Sequence, residues 1–275
     1  MNRLAAGLFA SLLLSSPVMA QPAPPAAGPP VEPVPQAAGP QLGPDVFAAS
    51  PASPSPTPSF ASLFTGLGQD IRHLATRENA LIVGMAGAAS LAMLESDAGV
   101  TRHASTVPAI DETFDAGAVL GSGMVQGGAA LATYIVGRAT NDPHLALVGS
   151  DLVRAQVITM AFTHGLKLSV GRTRPDGSRY SFPSGHSSAA FATASVLQRH
   201  YGWKAGVPAY GLAAYVAASR LSENKHYASD VIFGAALGIV AGLAVTFGHG
   251  ASTFALTPIA VPKGGGVGLT LVGAR

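Results

Sequence analysis

From Leu81 onward the chain is a succession of apolar stretches separated by short polar breaks. The stretches run approximately Leu81–Leu94, Ala116–Gly137, Leu145–Leu166, Ser187–Arg199, Ala205–Ser219 and Val231–Phe247. None alternates with the two-residue period of a strand, so each is predicted to be helical. Alanine and glycine dominate them, which lets helices approach closely. Ahead of them, Phe60, Leu63, Phe64, Leu67, Ile71 and Leu74 recur at three- and four-residue intervals, with Gln69, Asp70, Arg72 and His73 elsewhere. That pattern predicts an amphipathic helix over Phe60–Arg77, packed across the bundle rather than lying on a membrane. The tail changes period: Phe254–Val261 and Val267–Val272 flank Pro262-Lys263-Gly264-Gly265-Gly266 and read as a short β-hairpin. The expected fold is all-α, one domain of about two hundred residues, with that hairpin appended.

The first sixty residues have another character. Arg3 precedes an apolar run from Leu4 to Leu14, and Val18-Met19-Ala20 has the small-residue pattern of a signal peptidase site. Residues 1–20 therefore read as a signal peptide. Residues 21–59 carry most of the chain's 21 prolines among Ala, Gly and Ser. Such a stretch has too little apolar surface for a core and reads as a disordered linker. Residues 60–248 form the expected catalytic domain, and 249–275 the tail. Cysteine is absent, so stability must come from packing even outside the cytoplasm.

The chemistry-bearing residues gather in three short motifs: Lys167-x6-Arg174-Pro175, Pro183-Ser184-Gly185-His186, and Ser219-Arg220-x5-His226-x3-Asp230. Lys167 and Arg174 are seven apart, which on a helix places them on nearly one face, with Pro175 ending the helix at Arg174. The Ser-Gly turn precedes a good helix former and should direct backbone N–H groups and a positive helix end at an anion. His226 and Asp230 are four apart, so the carboxylate can fix the imidazole tautomer and free the other nitrogen to attack. Three cations, two imidazoles, a carboxylate and an amide-rich turn suit the holding of a tetrahedral oxyanion. One imidazole attacks it while the other protonates what leaves. Alone, the motifs also fit a solvated basic helix end, a capped turn and a surface pair. Together they specify eleven positions in order.

In this order and spacing the motifs resemble the signature of the type 2 phosphatidic acid phosphatase superfamily, which also contains vanadium haloperoxidases and bacterial class A acid phosphatases. The resemblance extends over roughly Leu81 to Phe247 and implies a six-helix core with the anion site at one end. It implies His226 as a nucleophile that becomes phosphohistidine, Asp230 as its orienting group and His186 as general acid. Lys167, Arg174, Ser184, the Gly185 amide and Arg220 would hold the phosphoryl oxygens. The expected activity is a metal-independent phosphatase, without cofactor, acting on a phosphomonoester or pyrophosphate of either a lipid or a soluble compound. A haloperoxidase holding vanadate in the same pocket, and a non-catalytic anion-binding module, are the alternatives. Pro183 follows Arg174 by only nine positions, as in compact phosphatases.

The remaining polar residues read as structural. Asp151 and Arg154 are three apart on one helix face and pair there. Arg172, Asp176 and Arg179 flank the motif loops, where they can touch the substrate without being required by the family pattern, and Glu223 and Lys225 fall at the pocket rim. His73, His103, His144, His164, His200 and His249 lie outside the signature, and no carboxylate cluster has metal-ligand spacing. The expected partner is a phosphorylated small molecule or a lipid phosphate, not nucleic acid. A mean hydropathy of +0.36 and 11% charged residues favour a membrane. Against that stand segments shorter than the roughly twenty residues of a span, and Asp151 and Arg154 within the third. A cleaved leader followed by three spans would also turn the motif loops inward. Periplasmic or cell-envelope placement is expected, with membrane association open.

Overall fold

A computed structural model describes residues 57–106, 116–248, 253–260 and 267–274. The expected leader, and all of the linker but 57–59, lie outside the described residues. The helices are α1 (Ser62–Thr65), α2 (Leu67–Leu74), α3 (Arg77–Met93), α4 (Asp97–Ser105), α5 (116–120), α6 (Gly123–Ala139), α7 (Pro143–Val170), α8 (Gly185–Tyr201), α9 (Trp203–Ser222) and α10 (Ala228–Val245). Strands β1 (Thr253–Ala260) and β2 (Val267–Ala274) pair antiparallel, with Thr253 opposite Ala274 and Ala260 opposite Val267. The domain is all-α, and each of the six apolar stretches is helical.

The boundaries follow local chemistry. The second stretch divides at Gly121–Ser122, where Ser122 takes extended backbone and its hydroxyl accepts the Val125 amide, starting α6. Asn141 turns the chain with φ +54°, and Asp142 caps α7 by accepting the Leu145 amide at 2.9 Å. Helix α4 was not foreseen; it leaves α3 at an 80° bend. The short-segment argument against a span does not hold, because α7 reaches 28 residues and α10 has 18, both apolar enough to cross a membrane by length and composition.

Helix α8 is central and packs against α7, α9 and α10. Val148, Leu152, Ile158, Val196 and Val245 form the buried core with alanines between them. The α8–α10 contact is a backbone contact. A Cβ on Gly234, Gly238 or Gly242 would lie 2.6 Å from the Ser184 carbonyl oxygen, 2.1 Å from that of Ser188, or 2.5 Å from Ser195 Cβ. Glycine every fourth residue gives α10 a flat stripe on which α8 rests.

The amphipathic segment departs from expectation. It is split into α1 and α2, and Gly66 between them lies so close to the Arg154 guanidinium that a Cβ would meet Nη1 at 2.5 Å. Leu63 is buried, but Phe60, Phe64 and Ile71 of the same apolar set are exposed, while Asp70 is 3% exposed. The reason is electrostatic. Asp70 accepts from Arg154 Nη1 at 2.8 Å and 3.0 Å, and Arg154 also donates to Asp151, whose other oxygen pairs with His200 Nε2 at 2.8 Å. The expected Asp151–Arg154 pair is thus part of a larger buried network joining α2, α7 and α8.

Candidate active site

Helix α7 ends four residues before Arg174. Gly171 adopts the left-handed conformation (φ +60°) and its amide closes on the Lys167 carbonyl at 3.0 Å. Lys167 and Arg174 therefore do not share a helical face. Lys167 sits in the last turn of α7 and Arg174 on the loop 171–184 that follows. This loop is folded on itself: the Ser181 amide donates to the Arg172 carbonyl at 2.8 Å and the Arg174 amide to that of Ser178 at 2.7 Å. Asp176 accepts the Ser178 amide and hydroxyl, and at 3.0 Å the Lys225 ammonium, tying this loop to the one before α10. These bonds hold its carboxyl well below the usual range.

A cis Phe182–Pro183 peptide leads to Ser184, the N-cap of α8, whose hydroxyl accepts the Ser187 amide. The helix thus begins at Gly185, as the Ser-Gly turn predicted. The Ser184 amide donates to the Asp230 carbonyl at 2.9 Å, so the turn is fastened to the start of α10.

His226 and Asp230 are likewise not a helical pair. His226 lies on the loop before α10, and Asp230, in the first turn, accepts the Tyr227 amide at 2.9 Å. Nδ1 of His226 stands 3.6 Å from Asp230 Oδ2, just past hydrogen-bonding reach, and is buried without another partner among the described residues. Asp230 also accepts from the Ser181 hydroxyl on Oδ2 and from Arg172 Nη1 on Oδ1 at 2.7 Å.

Lys167, Arg174, Gly185, His186 and His226 line one cavity of about 240 Å³, with Gln156, Met160, Thr163 and His164 on its α7 side. Lys167 Nζ donates to the Tyr180 and Ser181 carbonyls at 2.6 Å and 3.3 Å. Arg174 Nε is buried without a partner among the described residues. Three of the predicted residues do not line the cavity. Ser184 and Asp230 lie beneath it, fully buried, and Arg220 is 4% exposed and paired with Glu223. His186 Nε2 is 3.1 Å from the Ala118 carbonyl, which can only accept, so Nε2 carries the proton of the neutral ring. Burial, Arg220, His226 and Arg174 push His186 down to about 4. Burial also lowers His226, against the pull of Asp230. Both rings are neutral near pH 7. A neutral imidazole with a free nitrogen can attack, and cations facing an empty cavity can receive an oxyanion.

Sequence reasoning missed Ser181, the Ala118 carbonyl and Asp97, and it left Arg172 as a flank residue. Only Arg172 carried a signal, its place two residues before Arg174.

The PAP2 superfamily profile matches residues 176–253, which hold the second and third motifs and begin just after the first. Among curated proteins, a lipid A 1-phosphatase of Porphyromonas gingivalis is 45% identical over 80 residues, 28% of this chain and 18% of that protein. A PA-phosphatase related-family protein of Dictyostelium discoideum is 34% identical over 143 residues, 42% of this chain and 52% of that one. The chain thus spans about half, or less, of the length of these relatives. The crystal structure of Aquifex aeolicus LpxE aligns with a TM-score of 0.47 at 22% identity, over 55% of this chain and 94% of that one. The matched stretch, residues 176–253, carries the second and third motifs in order and is similar to the PAP2 superfamily.

Proposed function

We propose that the chain is a phosphatase of lipid phosphates that works through a phosphohistidine at His226. The observation that carries this is the convergence of Lys167, Arg174, the amide end of α8, His186 and His226 on one cavity. The relatives named as phosphatases, one of them of lipid A, and the apolar surfaces of the bundle favour a lipid substrate. In the first step His226 Nε2 attacks phosphorus, the bond to the leaving oxygen breaks, and His186 delivers a proton to that oxygen. In the second, His186 takes a proton from water as its oxygen attacks phosphorus, and the N–P bond breaks to release phosphate. Lys167, Arg174 and the Gly185 amide stabilise the charge on the equatorial oxygens, with Arg220 and Ser184 supporting from behind. Asp230 closes the remaining distance to Nδ1 as positive charge develops on the ring.

Rapid acid-free denaturation after mixing with ³²P-labelled lipid phosphate should leave acid-labile, base-stable label on His226. Retention of near wild-type turnover by His226→Ala sinks the reading. Hydrolysis of soluble esters in preference to any lipid phosphate in mixed micelles leaves the mechanism but overturns the substrate class.

A further inference from the structure

Resting on His226 as nucleophile, we propose that Arg172 and Asp97 are positioning residues that set the place and charge of Asp230 behind it. Helix α4 is thereby a working part of the site. Both residues lie outside the matched segment 176–253.

The geometry is a chain of two carboxylates about one guanidinium. Arg172 Nη1 donates to Asp230 Oδ1 and to Ser229 Oγ, each at 2.7 Å, and Nη2 donates to Asp97 Oδ2 at 2.9 Å. Asp97 Oδ1 accepts the Ser229 amide at 2.9 Å, and its Oδ2 accepts the Ser229 hydroxyl. The guanidinium lies 4.2 Å over the Tyr227 ring, which fixes its plane. Asp97 is 2% exposed and Asp230 is fully buried, so these charges act in a poorly screened setting.

Each bond has a consequence at His226. Arg172 holds Oδ1 of Asp230, leaving Oδ2 turned toward Nδ1, where Ser181 and Tyr227 also hold it. Asp97 draws part of the Arg172 charge away from Asp230, so Asp230 keeps more of its own for the imidazole. It also fixes Ser229, the residue beside Asp230, through both backbone and side chain. Lys167 of α7 and Arg174 of the loop are the other charged groups acting on His226, and His186 of α8 stands beside it. Arg220 of α9, set against His186, is paired with Glu223. Asp230, with Asp97 behind it, is the negative side of the field.

The test is the pH dependence of kcat/KM for an aryl phosphate, with the full-length protein in detergent micelles. Its acidic limb reports the neutral form of His226. Arg172→Gln removes a positive charge and should move that limb to higher pH, while Asp97→Asn removes a negative one and should move it lower. Both should reduce kcat by about 10- to 100-fold with KM nearly unchanged, the size of loss seen when the outer partners that orient metal-ligating histidines are removed. Asp97→Glu should restore part of the rate. Limbs that stay in place while thermal stability falls would reduce the pair to a structural clasp and overturn the proposal, as would a loss confined to KM. If Asp97→Asn does not fold, Arg172→Gln and Arg172→Lys decide. Lys keeps the charge but loses the planar fork whose two nitrogens reach Asp230 and Asp97 separately, so it should lose rate with little shift of the limb. An active His226→Ala overturns the underlying mechanism. An inactive His226→Ala beside unaffected Asp97 and Arg172 variants overturns this inference alone.

Discussion

His186 is neutral near pH 7, yet a general acid must carry an extra proton. Burial first, and then Arg220, His226 and Arg174, hold it down to about 4, and a phosphate dianion in the cavity would offset the charge of Arg174, which lines it. Anion binding should therefore raise its pKa and bring a proton with it. In the window between about 4 and the bound-state value, affinity should rise as pH falls. Titration calorimetry of inorganic phosphate in buffers of different ionisation enthalpy should show proton uptake, and His186→Ala should abolish it. The same substitution should slow hydrolysis of an alkyl phosphate by about 10²- to 10⁴-fold and that of an aryl phosphate much less. Equal losses would make His186 a phosphate ligand instead. Catalysis should also survive exhaustive chelation and be inhibited by vanadate, since Lys167 and Arg174 already face the cavity. Loss with chelator and rescue by Mg²⁺ or Zn²⁺ refutes that, and halide oxidation by the vanadate complex with peroxide would favour the haloperoxidase alternative.

Between elements, the position of the site depends on the glycine stripe of α10. The stripe seats the Ser184–Gly185 turn against the start of α10, which carries Asp230. Gly238→Leu would drive a side chain into the Ser188 carbonyl, 2.1 Å from the Cβ position, with Ala192 N at 2.8 Å. Overpacking of that kind costs about 1–3 kcal/mol or more, and thermal unfolding should report it. Gly165→Ala, whose Cβ meets nothing within 4 Å, should be neutral or stabilising. This level also marks where the sequence was legible. Apolar stretches located the six long helices, and a Ser before a helix-forming run located the start of α8. The motif residues, apart from the buried Ser184, Arg220 and Asp230, meet at the cavity as a set. Their relation in space was not legible, because Gly171 ends α7 before Arg174 and α10 begins after His226, so spacing along a helix was the wrong measure for both pairs. Asp97 was invisible for another reason. Its partners are 75 and 132 residues away, and no local pattern records such a contact.

At the scale of the whole molecule, apolar side chains face outward on several sides of the bundle. Met124 is 90% exposed, and Leu81, Met85, Leu91, Leu168, Trp203 and Val207 are also well exposed. So much apolar surface on a polypeptide needs a cover, and a bilayer is the one that fits two helices long enough to cross it. Fractionation should leave the protein in the membrane pellet through high-salt and carbonate washes and release it only with detergent. Release by salt alone would make it a peripheral protein. In the earlier turns of α7, the buried network of Asp70, Asp151, Arg154 and His200 should be costly to break. Asp70→Ala leaves Arg154 with Asp151 as its carboxylate partner among the described residues and should destabilise by about 3 kcal/mol, the lower end for a severed buried pair. The hydrogen bonds from Arg138 and Tyr134 to the Pro58 carbonyl should persist in that variant, and proteolysis within α1–α2 should accelerate.

The i,i+3 placement of Asp151 and Arg154 has a consequence for biogenesis. A nascent α7 that left its ribosome with an isolated arginine would present a full charge to the translocation machinery. With an acid one turn earlier on the same face, the helix carries its own partner for Arg154 before His200 of α8 has been made. Asp70 and His200, which flank it on earlier and later segments, can then dock in either order. Separating the two residues to opposite faces of α7 would break their bond and leave Arg154 without a partner on its own helix.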